Sequence, residues 1–125
     1  MTRIFCLALA CLGAASCANT TAVLPTYRYA GIELSGSIEG TLVRDGACIR
    51  VQSADGSFVP IWPRGTTMSD SGMQLPAPNG GELIRFGRRV AMMGGRNPGD
   101  GGIRNYDVVA RCGGSAFLVN SAREL

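Results

Sequence analysis

The chain has 125 residues, with twelve arginines, nine acids and a net charge of +3, and it contains neither lysine nor histidine. That length supports one small domain. Without histidine there is no Ser-His or Cys-His nucleophile pair and no histidine zinc site, and without lysine there is no Ser-Lys pair.

The chain opens with Arg3, an apolar run from Ile4 to Ala15, then Ser16 and Cys17. A positive start, a short hydrophobic stretch and a small-residue region together have the build of an export signal. The apolar run is too short to cross a ~30 Å hydrocarbon core as a helix. Cys17, directly after Ala14-Ala15-Ser16, resembles the lipobox of bacterial lipoproteins, with Ala14 at the place where Leu is usual. The resemblance implies that residues 1–16 are a signal peptide and that Cys17 is lipidated as the first mature residue. It further implies an exported protein held by its lipid in the bacterial cell envelope. Ala18 follows, not an acid, so in a Gram-negative cell the resemblance implies the outer membrane, facing the periplasm. The alternative is an ordinary export signal cut after Ala18, which gives a plain secreted β domain.

Under the lipobox reading Cys6 and Cys11 leave with the signal and Cys17 is capped. Cys48 and Cys112 then remain, and in an oxidising compartment such a pair reads as one disulfide. Closing about 65 residues gives roughly 4 kcal/mol by chain-entropy reasoning. There is no Cys-x-x-Cys spacing and no histidine to lower a thiol pKa, so the bridge reads as a structural staple.

Residues 17–30 carry little pattern and suit a lipidated tether, which leaves 31–125 as the folded domain. Ile38 to Arg44 and Ala47 to Gln52 flank Asp45-Gly46, a strong hairpin signal. Alternation points Ile49 and Val51 inward, and it puts Cys48 and Arg50 on the outer face. The bridge is therefore expected to pin the C-terminal strand across the outside of the domain. Asp55-Gly56 turns the chain into Phe58 to Trp62, which Pro60 and Pro63 demote to an edge or short strand. Trp62, the only tryptophan, reads as core. From Arg64 to Gly81 the sequence is loop-like, with a brief strand at Met73 to Leu75.

A second hairpin is expected from Glu82–Phe86 and Arg89–Met93 around Gly87-Arg88, with Gly87 leading a type II′ turn. Ile84, Phe86, Val90 and Met92 supply its buried face. Gly94 to Gly102 reads as a glycine-rich surface excursion. It lacks a Walker lysine, and Asn97, Asp100, Asn105 and Asp107 lack the alternation of an EF-hand calcium loop. Tyr106 to Arg111 and Ala116 to Asn120 read as the last strands. No mature stretch holds apolar residues at helical spacing for three turns. The fold class is all-β: a small barrel or sandwich of about six short antiparallel strands, OB-like, with one disulfide.

Asp45, Asp55 and Asp100 each precede a glycine, and Asp70 lies in Ser69-Asp70-Ser71-Gly72, so turn chemistry explains these acids. No catalytic residue, metal or cofactor is assigned, and the domain reads as non-catalytic.

Charge is uneven along the chain. Residues 17–84 carry four arginines against six acids, whereas residues 85–125 carry seven against three. Arg85, Arg88, Arg89 and Arg96 are the candidate anion-binding residues, since arginine grips phosphate and carboxylate through a two-pronged fork. In this compartment the available partners are the membrane, lipopolysaccharide, the cell wall or an envelope protein. Nucleic acid is disfavoured by location and by the scarcity of aromatic rings for base stacking. The function expected is a lipid-anchored envelope domain for binding or assembly support. In format alone it is similar to small periplasmic lipoproteins that inhibit lysozymes, which makes inhibition of a hydrolase the alternative.

Overall fold

The computed structural model describes residues 23–28, 35–77, 81–96 and 101–125; Cys17 and the rest of residues 1–22 lie outside them. The elements are β1 (Thr26–Tyr27), β2 (Gly36–Asp45), β3 (Cys48–Ser53), β4 (Gly56–Pro63), β5 (Thr67–Met68), β6 (Gly72–Gln74), β7 (Leu83–Arg85), β8 (Arg89–Arg96), β9 (Ile103–Arg104), α1 (Asp107–Cys112) and β10 (Ser115–Glu124).

Five strands close a barrel. Neighbours run β10-β8-β2-β3-β4, and β4 then pairs with β10 to complete the ring. The closing pair is parallel, with Phe58 to Ile61 beside Ser115 to Leu118, while the other barrel pairs are antiparallel. Numbered among themselves, the barrel strands follow the order 1-2-3-5-4-1. This is the five-stranded Greek-key arrangement of the OB type. Ile38, Leu42, Val51, Phe58, Trp62, Val90, Met92, Phe117 and Val119 fill its interior, and Phe58 meets Phe117 edge to face. Trp62 is fully buried there, as expected of the lone tryptophan of a small β domain.

The β2–β3 hairpin forms, but its two-residue loop is Gly46-Ala47, because Asp45 pairs with Cys48. Only Gly46 has positive φ (61°), which fits glycine at the first central position of a type II′ turn.

The expectation of an edge strand at Phe58–Trp62 is corrected: β4 is eight residues long and has partners on both sides. The N–H groups of Trp62 and Arg64 point toward β1, donating to Pro25 and Tyr27 carbonyls. By alternation the missing N–H of Pro60 falls on that same side. There β3 pairing has ended at Phe58 and β1 pairing has not begun, so the proline leaves no ladder bond unmade.

The second expected hairpin does not form. β7 pairs with β6 in a separate three-stranded sheet with β5, and β8 pairs with β2 and β10. Arg85 to Arg88 makes a turn, with Arg88 N–H on the Arg85 carbonyl at 3.4 Å and Gly87 at φ 83°. Gly87 is thus the third turn residue, a type II position, and sends the chain from one sheet to the other. The small sheet contributes Met73 and Ile84 to the barrel core, and Leu75, just beyond β6, packs there too. Ile84, Val90 and Met92 are buried as expected.

Residues Tyr106 to Arg111, read as a strand, instead enter α1. Val108, Val109 and Cys112 are its buried residues, and Gly113, left-handed at φ 69°, ends it. One and a half turns are too few to show helical periodicity in sequence. The helix packs over Val59, Ile61 and Ala116 in a second apolar cluster with Tyr27. β1 lies within the stretch assigned to the tether, so that stretch contributes a strand to the domain. Gly94 is likewise no surface loop residue: it is buried in β8, where an added Cβ would lie 1.7 Å from the Leu118 carbonyl oxygen. No helix among the described residues is long and apolar enough to cross a membrane.

Candidate functional site

OB-type barrels bind ligands on the outer face of their second and third strands, here β3 and β4. In this chain that face is covered. Cys48 on β3 is joined to Cys112 at the end of α1, with Cα atoms 5.5 Å apart. Arg50, two residues along the same face, donates through Nη1 to the Cys112 carbonyl at 2.6 Å and through Nη2 to Asp45 at 2.8 Å. Val59 and Ile61 of β4 are buried beneath the helix. The disulfide is therefore on the outer face, as alternation indicated, but it pins the helix and not the C-terminal strand. The customary ligand surface of the fold has become core.

The four candidate anion-binding arginines do not form one patch. Arg89 and Arg96 stand at opposite ends of β8, seven residues and so about 23 Å apart. Arg96 pairs with Asp55 at 3.4 Å and lies over the Phe58 ring at 5.1 Å. Arg85 is engaged by Glu124 through two side-chain bonds of 3.0 and 2.8 Å, and its backbone N–H also donates to Glu124 Oε2. Hydrogen bonds from Arg85 hold the Glu124 carboxyl down at about 2 and raise the arginine's own pKa. Arg88, exposed beside them, adds a smaller push in the same direction on Glu124. Arg89 approaches Glu39 at 3.7 Å. Arg85, Arg88 and Arg89 thus gather around the turn before β8, with Arg88 and Arg89 exposed, and the length of that strand alone sets Arg96 apart.

The acids and amides weighed for calcium also have structural partners. Asp107 pairs with Arg111 one helical turn later, and Asn105, at φ 61°, donates to the Leu24 carbonyl at 3.2 Å. Residues 97–100 of that candidate loop lie outside the described residues.

A different surface is open. In the ring of five strands β8 lies opposite the β3–β4 seam, and its outer face flanked by β2 and β10 is uncovered among the described residues. Register places Ser37, Met93 and Ser121 in one row across the three strands, and Glu39, Ala91 and Arg123 in the next. Between them lies a shallow trough of about 330 Å³. Its floor is low because Ser37, Ala91 and Ser121 stand where larger side chains would fill it, and Met93 is 49% exposed. Arg123 lies at the margin of a second hollow toward Gly81 and Glu82. Sequence reading missed this face because it ended the last strand at Asn120. A register shift between Val119 and Ser121 carries β10 onward to Glu124, and the shift breaks the alternation that would have revealed Arg123.

No family model, curated protein or solved structure matches this chain.

Proposed function

We propose that the protein is a lipid-anchored component of the bacterial cell envelope whose barrel domain binds or supports an envelope partner without catalysing a reaction. The observation that carries this reading is the pairing of cysteines. Cys48 and Cys112 are joined within the domain, the state favoured in an oxidising compartment. Cys17 is then left to the small-residue motif that precedes it. Val23 lines a cleft with Ala47, Cys48, Val108 and Arg111, so the chain enters on the helix side. From Cys17 to Val23 is six residues, a reach of at most ~22 Å. An anchor at Cys17 therefore holds the helix side near the bilayer.

The reading is tested by Cys17→Ser with cell fractionation and labelling by a fatty-acid analogue. Wild type is expected in the membrane fraction and labelled, and the variant soluble and unlabelled. Labelling that persists in the variant overturns the assignment.

A further inference from the structure

The geometry points to a binding site for a carboxylate-bearing oligosaccharide in the trough across β2, β8 and β10, with Arg123 as its anion-gripping residue. Four independent features converge there. The first is volume: about 330 Å³ lies within the 300–1,000 Å³ range of small-molecule sites. The second is the floor, where exposed Met93 beside Ala91 offers an apolar surface for the C–H face of a sugar ring. The third is the pair Ser37 and Ser121, whose hydroxyls flank Met93 from both sides and can donate to or accept from ring hydroxyls.

The fourth is charge. Arg123 is exposed and has no carboxylate partner among the described residues. It stands diagonally from Arg89 on the same face, a neighbour separation of about 7–8 Å. The one acid in the trough, Glu39, is balanced by Arg89 at 3.7 Å, so Arg123 leaves the trough with net positive charge. A planar guanidinium matches a carboxylate in a two-pronged fork. A ligand suited to all of these features carries rings, hydroxyls and an acid together. Choosing a wall glycan as its source rests on the envelope location proposed above, whereas the site itself does not.

The test is titration calorimetry of purified full-length protein with two disaccharides. One is N-acetylglucosamine linked to N-acetylmuramic acid, which carries a lactyl carboxylate, and the other is neutral diacetylchitobiose. The acidic sugar is expected to bind more tightly. Arg123→Ala should weaken it about tenfold or more, as loss of a charged hydrogen-bonded contact does, and should leave the neutral sugar unchanged. Ala91→Trp, which fills the trough, should abolish binding of both at an unchanged thermal midpoint. Arg64→Ala, away from the trough, serves as the control. Three results overturn the proposal: no binding of the acidic sugar, equal binding by Arg123→Ala, or Arg123-dependent binding of anionic phospholipid vesicles in preference to the sugar. Because the titration needs no lipid anchor, its failure is distinct from failure of the Cys17 assignment.

Discussion

Arg85 and Glu124, 39 residues apart, clasp each other through two side-chain hydrogen bonds of 3.0 and 2.8 Å, and a third bond from the Arg85 backbone reaches the same carboxylate. The clasp ties β7, which belongs to the small sheet capping the barrel, to the last residues of β10. It joins two sheets that share no ladder hydrogen bonds.

The clasp should be visible in the pH dependence of stability. The Glu124 carboxyl is held at about 2, below its ordinary 4.5, by hydrogen bonds from Arg85. A carboxyl with a depressed folded-state pKa stabilises the fold above its unfolded pKa, and the contribution is lost as pH falls through the folded value. The thermal midpoint of wild type is therefore expected to drop between about pH 4.5 and pH 2 by more than that of Glu124→Gln. Parallel curves for the two proteins over that window would show that the clasp contributes nothing.

The disulfide makes a second case. Unreduced protein should show Cys48 linked to Cys112 by peptide mass mapping. Replacing both by Ala should cost about 2–5 kcal/mol in urea unfolding. The first local loss is expected at α1, since the bridge is its covalent tie to β3. Faster hydrogen exchange in Val108–Cys112 than in β8 of the variant would report that loss.

Trp62 is fully buried, and its indole N–H has no acceptor among the described residues. Trp62→Ala should cost about 3–5 kcal/mol through the cavity it leaves. Trp62→Phe keeps most of the volume and removes an orphaned donor, whose burial costs about 1–3 kcal/mol. The phenylalanine variant should therefore be clearly the more stable of the two by denaturant titration, and equal losses would mean the N–H is satisfied.

Gly94 is a position where only glycine fits. An added Cβ would meet the Leu118 carbonyl oxygen at 1.7 Å, in the middle of the β8–β10 pairing. Gly94→Ala should destabilise by about 3 kcal/mol, the upper end for overpacking. Gly81→Ala, with open space around its Cβ, should be nearly neutral by the same unfolding measurement.

Local chemistry was legible wherever neighbours in sequence are neighbours in space. The β2–β3 hairpin, the inward Ile49 and Val51 and the outward Cys48 follow from alternation and a turn dipeptide, and the structure has all of them, with the loop one residue later at Gly46-Ala47. Pro60 misled because a proline is tolerated in a central strand when its missing N–H faces a gap. That gap exists only because β3 departs where β1 arrives. Gly87 misled for a related reason: it permits a turn, but which sheets the turn connects depends on partners far along the chain.

By itself, the sequence determined the all-β class, the pairing of Cys48 with Cys112 and a buried Trp62. Alternation and cysteine arithmetic act over a few residues or by elimination, and a lone tryptophan in a small β domain has little but the core to enter. Tertiary structure alone decided the parallel closure of β4 on β10, the covering of the β3–β4 face by α1 and the fate of the arginines. Each depends on packing between segments dozens of residues apart. An arginine count says how much charge is present, but only the fold sets Arg85 on Glu124, Arg96 on Asp55 and Arg123 beside an open trough.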